Sequence, residues 1–184
     1  LKLSDFDYLL YHVPFPKMAM RGHALLVEEE NGGNGDVAVD PRALAASFER
    51  YALPALWANE ELGNIYSGSL YLSLAGLLEG RGTEAAGARL GLYSYGSGSC
   101  AEFFSGRVPS NPEAWAGRIG IVDGLAARQE IDYAEYRRLH ERKVVHGPST
   151  VATAPTEARR AGPTGRAAFH GVMDDRRVYS LLEA

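Results

Sequence analysis

The chain has 184 residues, 46% of them hydrophobic, and a formal net charge of -4. That length fits one domain with a sizeable core, and the acidic balance argues against a nucleic-acid binder, which carries a basic face or stripe. No apolar stretch approaches the roughly 20 residues that span a bilayer, and the single cysteine, Cys100, excludes an internal disulfide and suits a reducing cytoplasm.

Residues 1–7 carry charges and lack a long apolar run, so no signal peptide is expected there. The start at Leu1, without methionine and inside sequence that reads as structured, points to a fragment. "DYLLYH" (7–12) predicts a short buried strand. Pro14 to Glu30 predicts a helix begun by prolines, with Met18, Leu25, Leu26 and Val27 as its apolar residues. "NGGNGD" (31–36) is a loop by composition. Asp40 then caps a helix with Pro41 at its first position, and Leu44, Phe48 and Tyr51 form its apolar face until Pro54 ends or kinks it.

A long, mostly buried helix is expected over "NIYSGSLYLSLAGLLEG" (64–80), with Leu70, Leu74, Leu77 and Leu78 on one stripe. Residues 89–108 read as strand, glycine turn, strand. Asp132 with Glu135 makes a capping-box-like start to a charged helix through Arg142. Residues 147–168 are loop-like, rich in Pro, Gly, Thr and Ala, and "FHGVMDDRRVYSLL" predicts a closing β-hairpin around Asp174 and Asp175. Strands alternating with helices make the fold class α/β.

Two motif matches fail on context. "GSGSCA" (96–101) has the glycine spacing of a dinucleotide-binding turn, but "EFFSGRV" after it continues as strand rather than opening a helix. "HERKVVH" (140–146) has the wrong spacing for a zinc helix, so no metal site is expected. Cys100 has no activating neighbour in sequence and reads as a small buried hydrophobe rather than a nucleophile.

Three stretches remain. "YHVPFPKM" (11–18), "GNIYSGSLYLSLAGLL" (63–78) and "LYSYGSGSCAEFFSG" (92–106) together resemble the later half of 3-hydroxy-3-methylglutaryl-CoA synthases, in the family's order and with about its spacing. The terminal "FHGVMDDRRVYS" is similar to the family's closing hairpin. The resemblance implies a thiolase-like fold made of two related halves, of which residues 1–184 are the C-terminal one. It implies an acyltransferase that condenses an acetyl-enzyme with a β-ketoacyl thioester. His12 matches the catalytic histidine that contacts the acceptor's keto group. Asn64 matches an asparagine near the acceptor thioester, Ser97 a serine beside the same pocket, and Lys17 a lysine lining the pantetheine tunnel. The family's nucleophilic cysteine and glutamate acid/base belong to the earlier half and are absent from these residues, and Cys100 sits in the wrong motif to replace that cysteine.

Physical chemistry fits those assignments without requiring them. Adding an enolate to a ketone puts negative charge on the keto oxygen, which a positioned imidazole N–H stabilises, and a group titrating near neutrality can relay the proton to the resulting alkoxide. "PFP" after His12 fixes two φ angles and holds the ring's approach. The plainer readings are a core histidine with a satisfied ring for His12, a helix cap for Asn64, a hairpin turn for the glycines around Ser97, and a surface lysine for Lys17. Glu102 and Tyr66, polar residues inside apolar motifs, are candidates for supporting contacts.

The resemblance implies no cofactor beyond substrates carried as CoA or phosphopantetheine thioesters. Implied partners are an acyl carrier protein or acyl-CoA, the missing N-terminal half and a second copy in a homodimer, with no nucleic acid or membrane, in the cytoplasm. "SCAEFFSG" after "SYGSG" leans toward the polyketide β-branching type, whose acceptor rides on a carrier protein. The alternatives are the primary-metabolism synthase, another thiolase-fold condensing enzyme, and a non-catalytic scaffold or docking fragment.

Overall fold

Tyr8, Leu9, Leu10 and Tyr11 form an apolar run without alternation, the pattern of a strand covered on both faces. They fold as strand β1 (Tyr8–Tyr11), whose last three residues are buried. The computed structural model describes residues 1–33, 39–96, 98–112, 115, 117–141, 166–173 and 176–182. These fall into two units, Leu1–Ile121 and Val122–Ala184.

In the first unit β1 is followed by helices α1 (Pro16–Glu30), α2 (Pro41–Tyr51), α3 (Trp57–Leu62) and α4 (Gly68–Arg81), then strands β2 (Arg89–Gly96) and β3 (Cys100–Arg107). The sheet order is β1-β2-β3. β1 and β2 run parallel, with Tyr8 opposite Leu90 and Tyr11 opposite Tyr93. β2 and β3 are antiparallel, from Arg89 opposite Arg107 to Gly96 opposite Cys100.

Alternate residues of β1 feed two cores, as the pleat of a strand requires. Leu9, Tyr11 and Val13 pack with Phe6, with Ala19 of α1, with Phe48 of α2, and with Ala52 and Leu56. Leu10 joins Leu90 and Leu92 of β2 against Leu70 and Leu77 of α4, with Ala55, Ala88 and Val108. The sheet thus lies between α1 with α2 on one face and α4 on the other. Each fully buried leucine in these layers contributes about 1.5–3 kcal/mol.

α2 begins as its sequence predicts: the Asp40 carboxylate accepts from the Arg42 amide at 3.2 Å, and Pro41 occupies the first helical position. Phe48 is its buried residue, and Pro54 falls in a short 3-10 turn, Leu53–Ala55. α1 corrects the expected face. It starts at Pro16, and its buried residues are Ala19, His23 and Val27, spaced by four, whereas Leu25 and Leu26 are 67% and 40% exposed. One apolar stripe cannot hold residues two positions apart, so the small alanine and the histidine take the core instead.

The helix expected from residue 64 starts only at Gly68, as α4, and a separate short helix, α3, precedes it and ends at Leu62. α3 crosses α4 closely. A Cβ on Gly76 would sit 3.1 Å from the Ala58 Cβ, and Trp57 donates from Nε1 to the Gly76 carbonyl at 2.8 Å. The β2–β3 hairpin forms as predicted, its turn carrying positive φ at Gly98 and Ser99. Cys100 opens β3 and is exposed, not a buried hydrophobe. β3 lies at the edge of the described sheet with its residues exposed, and the thiol is exposed with them.

The second unit begins within α5 (Ile121–Ala126) and continues with α6 (Tyr133–His140). The Asp132 carboxylate accepts from the Glu135 amide at 2.7 Å, the predicted cap. α6 ends at His140, short of Arg142, which lies outside the described residues. Strands β4 (Arg166–Met173) and β5 (Arg176–Leu182) pair antiparallel as the expected closing hairpin. Of the predicted 147–168 loop, 147–165 lie outside the described residues and 166–168 belong to β4; Asp174 and Asp175 also lie outside.

Candidate active site

β1 and β2, being parallel, end at the same edge of the sheet. His12 is the first residue after β1, and its backbone N–H donates to the Tyr93 carbonyl of β2 at 2.8 Å. The imidazole is half-buried, and its ring centroid lies 4.6 Å from that of Tyr95, edge to face. Its Nδ1 is enclosed and has no hydrogen-bond partner among the described residues. Burial holds its pKa below the ordinary histidine value, so the ring is neutral at neutral pH, with one nitrogen a donor and the other an acceptor. A neutral, positioned imidazole with an unengaged nitrogen suits proton relay or hydrogen bonding to a developing oxyanion.

The plain core-histidine reading fits His23, eleven residues on, instead. His23 is fully buried, with the Tyr11 hydroxyl 2.9 Å from Nδ1 and the Ser47 hydroxyl 2.8 Å from Nε2. Burial lowers the His23 pKa and raises that of Tyr11.

Asn64 is exposed in the turn between α3 and α4. Its Oδ1 accepts from the Tyr66 N–H at 2.8 Å, an Asx-type turn. That places Tyr66 at a φ of 54 and leaves it 80% exposed. Asn64 is therefore not the cap of α4, whose N-cap position is Ser67. Lys17 is exposed on the first turn of α1. Ser97 lies outside the described residues, between Gly96 at the end of β2 and Gly98. Glu102 is exposed on β3, opposite Ser94 of β2, rather than tucked against His12.

His12 and α4 are tied together directly. The Val13 N–H donates to Ser69 Oγ in the first turn of α4 at 2.9 Å. Ser69 belongs with Asn59 and Ser73 to a buried polar group that sequence reasoning passed over. The available signal was two serines spaced by four within an otherwise apolar helix.

Two clefts among the described residues lie away from His12. One cleft of about 380 Å³ is lined by Leu1, Leu3, Phe6, Leu9, Leu26 and Phe103 among others. A second, of about 400 Å³, is lined by Asp7, Tyr8, Arg50 and Glu84 with Ala86 to Ala88, at the start of β1. Neither includes His12, Asn64 or Lys17. Among the described residues no cluster of three or more His, Cys, Asp or Glu side chains stands ready for a metal ion, and no helix is long and apolar enough to cross a membrane.

The profile described as "Hydroxymethylglutaryl-coenzyme A synthase C terminal" matches residues 36–157. A hydroxymethylglutaryl-CoA synthase of Enterococcus faecalis is 34% identical over 139 residues, covering 76% of this chain and 34% of that protein. The polyketide biosynthesis 3-hydroxy-3-methylglutaryl-ACP synthase PksG of Bacillus subtilis is 30% identical over 136 residues, covering 74% of this chain and 31% of that one. The chain thus spans about a third of the length of these relatives (34% and 31%). Among solved structures, MvaS in complex with 3-hydroxy-3-methylglutaryl coenzyme A superposes with a TM-score of 0.69 at 34% identity, over 96% of this chain and 41% of that one. The curacin-pathway HMG synthase in complex with apo donor-ACP superposes with a TM-score of 0.75 at 29% identity, over 96% and 44%. The likeness runs through nearly the whole chain and identifies the α/β architecture as thiolase-like.

Proposed function

Because the chain belongs to the hydroxymethylglutaryl-coenzyme A synthase family of acyltransferases, we propose that residues 1–184 are the C-terminal half of such an enzyme, holding the acceptor side of its active site. The observation that carries this reading is His12: a half-buried, neutral imidazole at the end of a parallel strand, with its Nδ1 enclosed and without a partner among the described residues. In the reaction, the enolate carbon of an acetyl thioester attacks the β-keto carbon of the acceptor. A carbon–carbon bond forms and the keto oxygen becomes an alkoxide that must be stabilised and protonated. His12 hydrogen-bonds that oxygen and supplies the proton path. Asn64 and Ser97 hold the acceptor thioester, and Lys17 lines the pantetheine entrance.

The nucleophilic cysteine and the glutamate acid/base come from an N-terminal half, which completes the pocket. No cofactor is required beyond the thioester carriers, and the assembled enzyme is a cytoplasmic homodimer. Labelled acetyl donor should therefore leave this chain unlabelled, Cys100 included. Condensation should appear only when the nucleophile-bearing half is supplied. Stable acetylation of the chain alone would sink the half-site reading.

We favour the β-branching type, with a β-ketoacyl group on an acyl carrier protein as acceptor. The relatives include both a polyketide ACP synthase and a CoA synthase, so the support is the local sequence "SCAEFFSG", together with exposed Lys17 and Arg21 on α1 as a basic patch for an acidic carrier. The primary-metabolism synthase is the second reading, favoured by the likeness to the Enterococcus faecalis protein. The ratio of kcat/KM for the two acceptors decides. Equal or better use of acetoacetyl-CoA returns the chain to primary metabolism.

A further inference from the structure

We propose that Asn59, Ser69 and Ser73 form a positioning clasp for His12, an inference that rests on His12 being the reactive imidazole described above. His12 lies between two backbone anchors. Its own N–H is held by the Tyr93 carbonyl at 2.8 Å, and the next N–H, of Val13, by Ser69 Oγ at 2.9 Å. The first anchor is the continuation of the β1–β2 ladder. The second comes from a helix 56 residues further along the chain. The ring's direction is therefore set jointly by the sheet and by α4.

Ser69 is itself held. Its carbonyl accepts from Asn59 Nδ2 at 3.0 Å. Ser73 Oγ lies 2.9 Å from Asn59 Oδ1 and 3.1 Å from the Ser69 carbonyl, sharing one proton between two acceptors. Asn59 is 1% exposed, and Ser69 and Ser73 are 0% exposed. They sit on helices whose other buried positions, Ala58, Leu70 and Leu77, are apolar. Small apolar side chains there would fill the same space without any desolvation cost. What they could not do is hold one backbone amide at a fixed point. A satisfied buried network restricts geometry where apolar packing tolerates sliding. The turn carrying Asn64 also leads directly into Gly68 and Ser69, so one clasp keeps the strand end with His12 and the start of α4 in a single frame.

The test is an NMR titration of the His12 ring in the full 184-residue chain, with exchange of the Val13 amide followed in the same samples. In the unaltered chain the ring titrates below the ordinary histidine value. Ser69→Ala should move that midpoint up toward the ordinary value and speed Val13 exchange by at least about tenfold. Ser69→Thr, which keeps the hydroxyl, should restore both. Leu77→Val truncates the same helix without touching the clasp, so it should lower the melting temperature and leave the His12 midpoint in place. If Ser69→Ala fails to fold, Ser73→Ala is read in the same way, with a smaller shift expected because the Val13 acceptor stays. An unmoved midpoint in the alanine variant, or an equal shift in Leu77→Val, overturns the clasp.

In the enzyme completed with the nucleophile-bearing half, Ser69→Ala should lower kcat for condensation by up to about 10²-fold with little change in KM, as misplacement of a reacting group does. The two ideas fail separately. If His12→Ala leaves condensation untouched, the role of His12 falls while the titration result still judges the clasp. If the titration is unmoved, the clasp falls while His12 keeps its role.

Discussion

Removing the Tyr11 hydroxyl tests whether the buried histidine next to the site is held as the geometry indicates. Tyr11→Phe keeps the ring in its core, where Tyr11 is 4% exposed, and deletes only the oxygen 2.9 Å from His23 Nδ1. His23 is fully buried, so water cannot replace the lost partner. An orphaned buried nitrogen costs about 1–3 kcal/mol. The Ser47 bond to Nε2 survives the change and keeps the ring from reorienting freely. Urea unfolding at pH 8 should show a lower midpoint with an unchanged slope. Adding His23→Leu removes the orphan, so the double variant should lose less than the sum of the two single changes, by about 0.5–3 kcal/mol of coupling. A Tyr11→Phe midpoint indistinguishable from the unaltered chain, or strictly additive single changes, would refute the reasoning.

The same histidine sets a pH dependence. Burial lowers the pKa of both His23 and His12 below the ordinary 6.5, so on acidification the unfolded chain takes up protons first. Stability is therefore full above about pH 6.5 and declines as pH falls toward the lowered values; a His23→Leu chain should lose most of that decline, and an unaltered slope would contradict it. Gly76→Val should destabilise by about 1–3 kcal/mol through overpacking, because even a Cβ there stands 3.3 Å from Trp57 Nε1; a raised melting temperature would show that α3 simply moves away. Asp40→Ala should cost about 0.5–2 kcal/mol, the value of an N-cap, measured by urea unfolding. Cys100, exposed on the edge strand, should react with a thiol reagent in native buffer to full stoichiometry; a requirement for denaturant would mean that it is covered.

The strands and helix starts were legible because their signals are local. The continuous apolar run at 8–11 marks β1, the glycines at 96 and 98 mark a hairpin, and Asp40-Pro41 and Asp132 with Glu135 mark two helix beginnings. The buried face of α1 was not legible, because hydrophobicity favoured Leu25 and Leu26 while the core took His23, whose partners Tyr11 and Ser47 lie 12 and 24 residues away. α3 was missed for a related reason. Its six residues are too few for a periodic signal, and Trp57 reveals its role only against Gly76, 19 residues on. At the site, His12 stood out by its place between an apolar strand and two prolines. The Asn59, Ser69 and Ser73 group did not, since its local trace is only two serines spaced by four, while the bonds to Asn59 and Val13 span 10 to 56 residues.

The most direct test of the account separates acyl loading from condensation in the enzyme completed with its nucleophile-bearing half. The burst of acetylation is measured first, then product formed from the β-ketoacyl acceptor. With His12→Ala, acetylation should proceed at the unaltered rate, because the proposed function puts the group being loaded on the other half. Condensation should fall by roughly 10²–10³, the loss expected on removal of one donor at a developing oxyanion. Unchanged condensation, or a defect confined to acetylation, would contradict the placement of His12 on the acceptor side of the reaction.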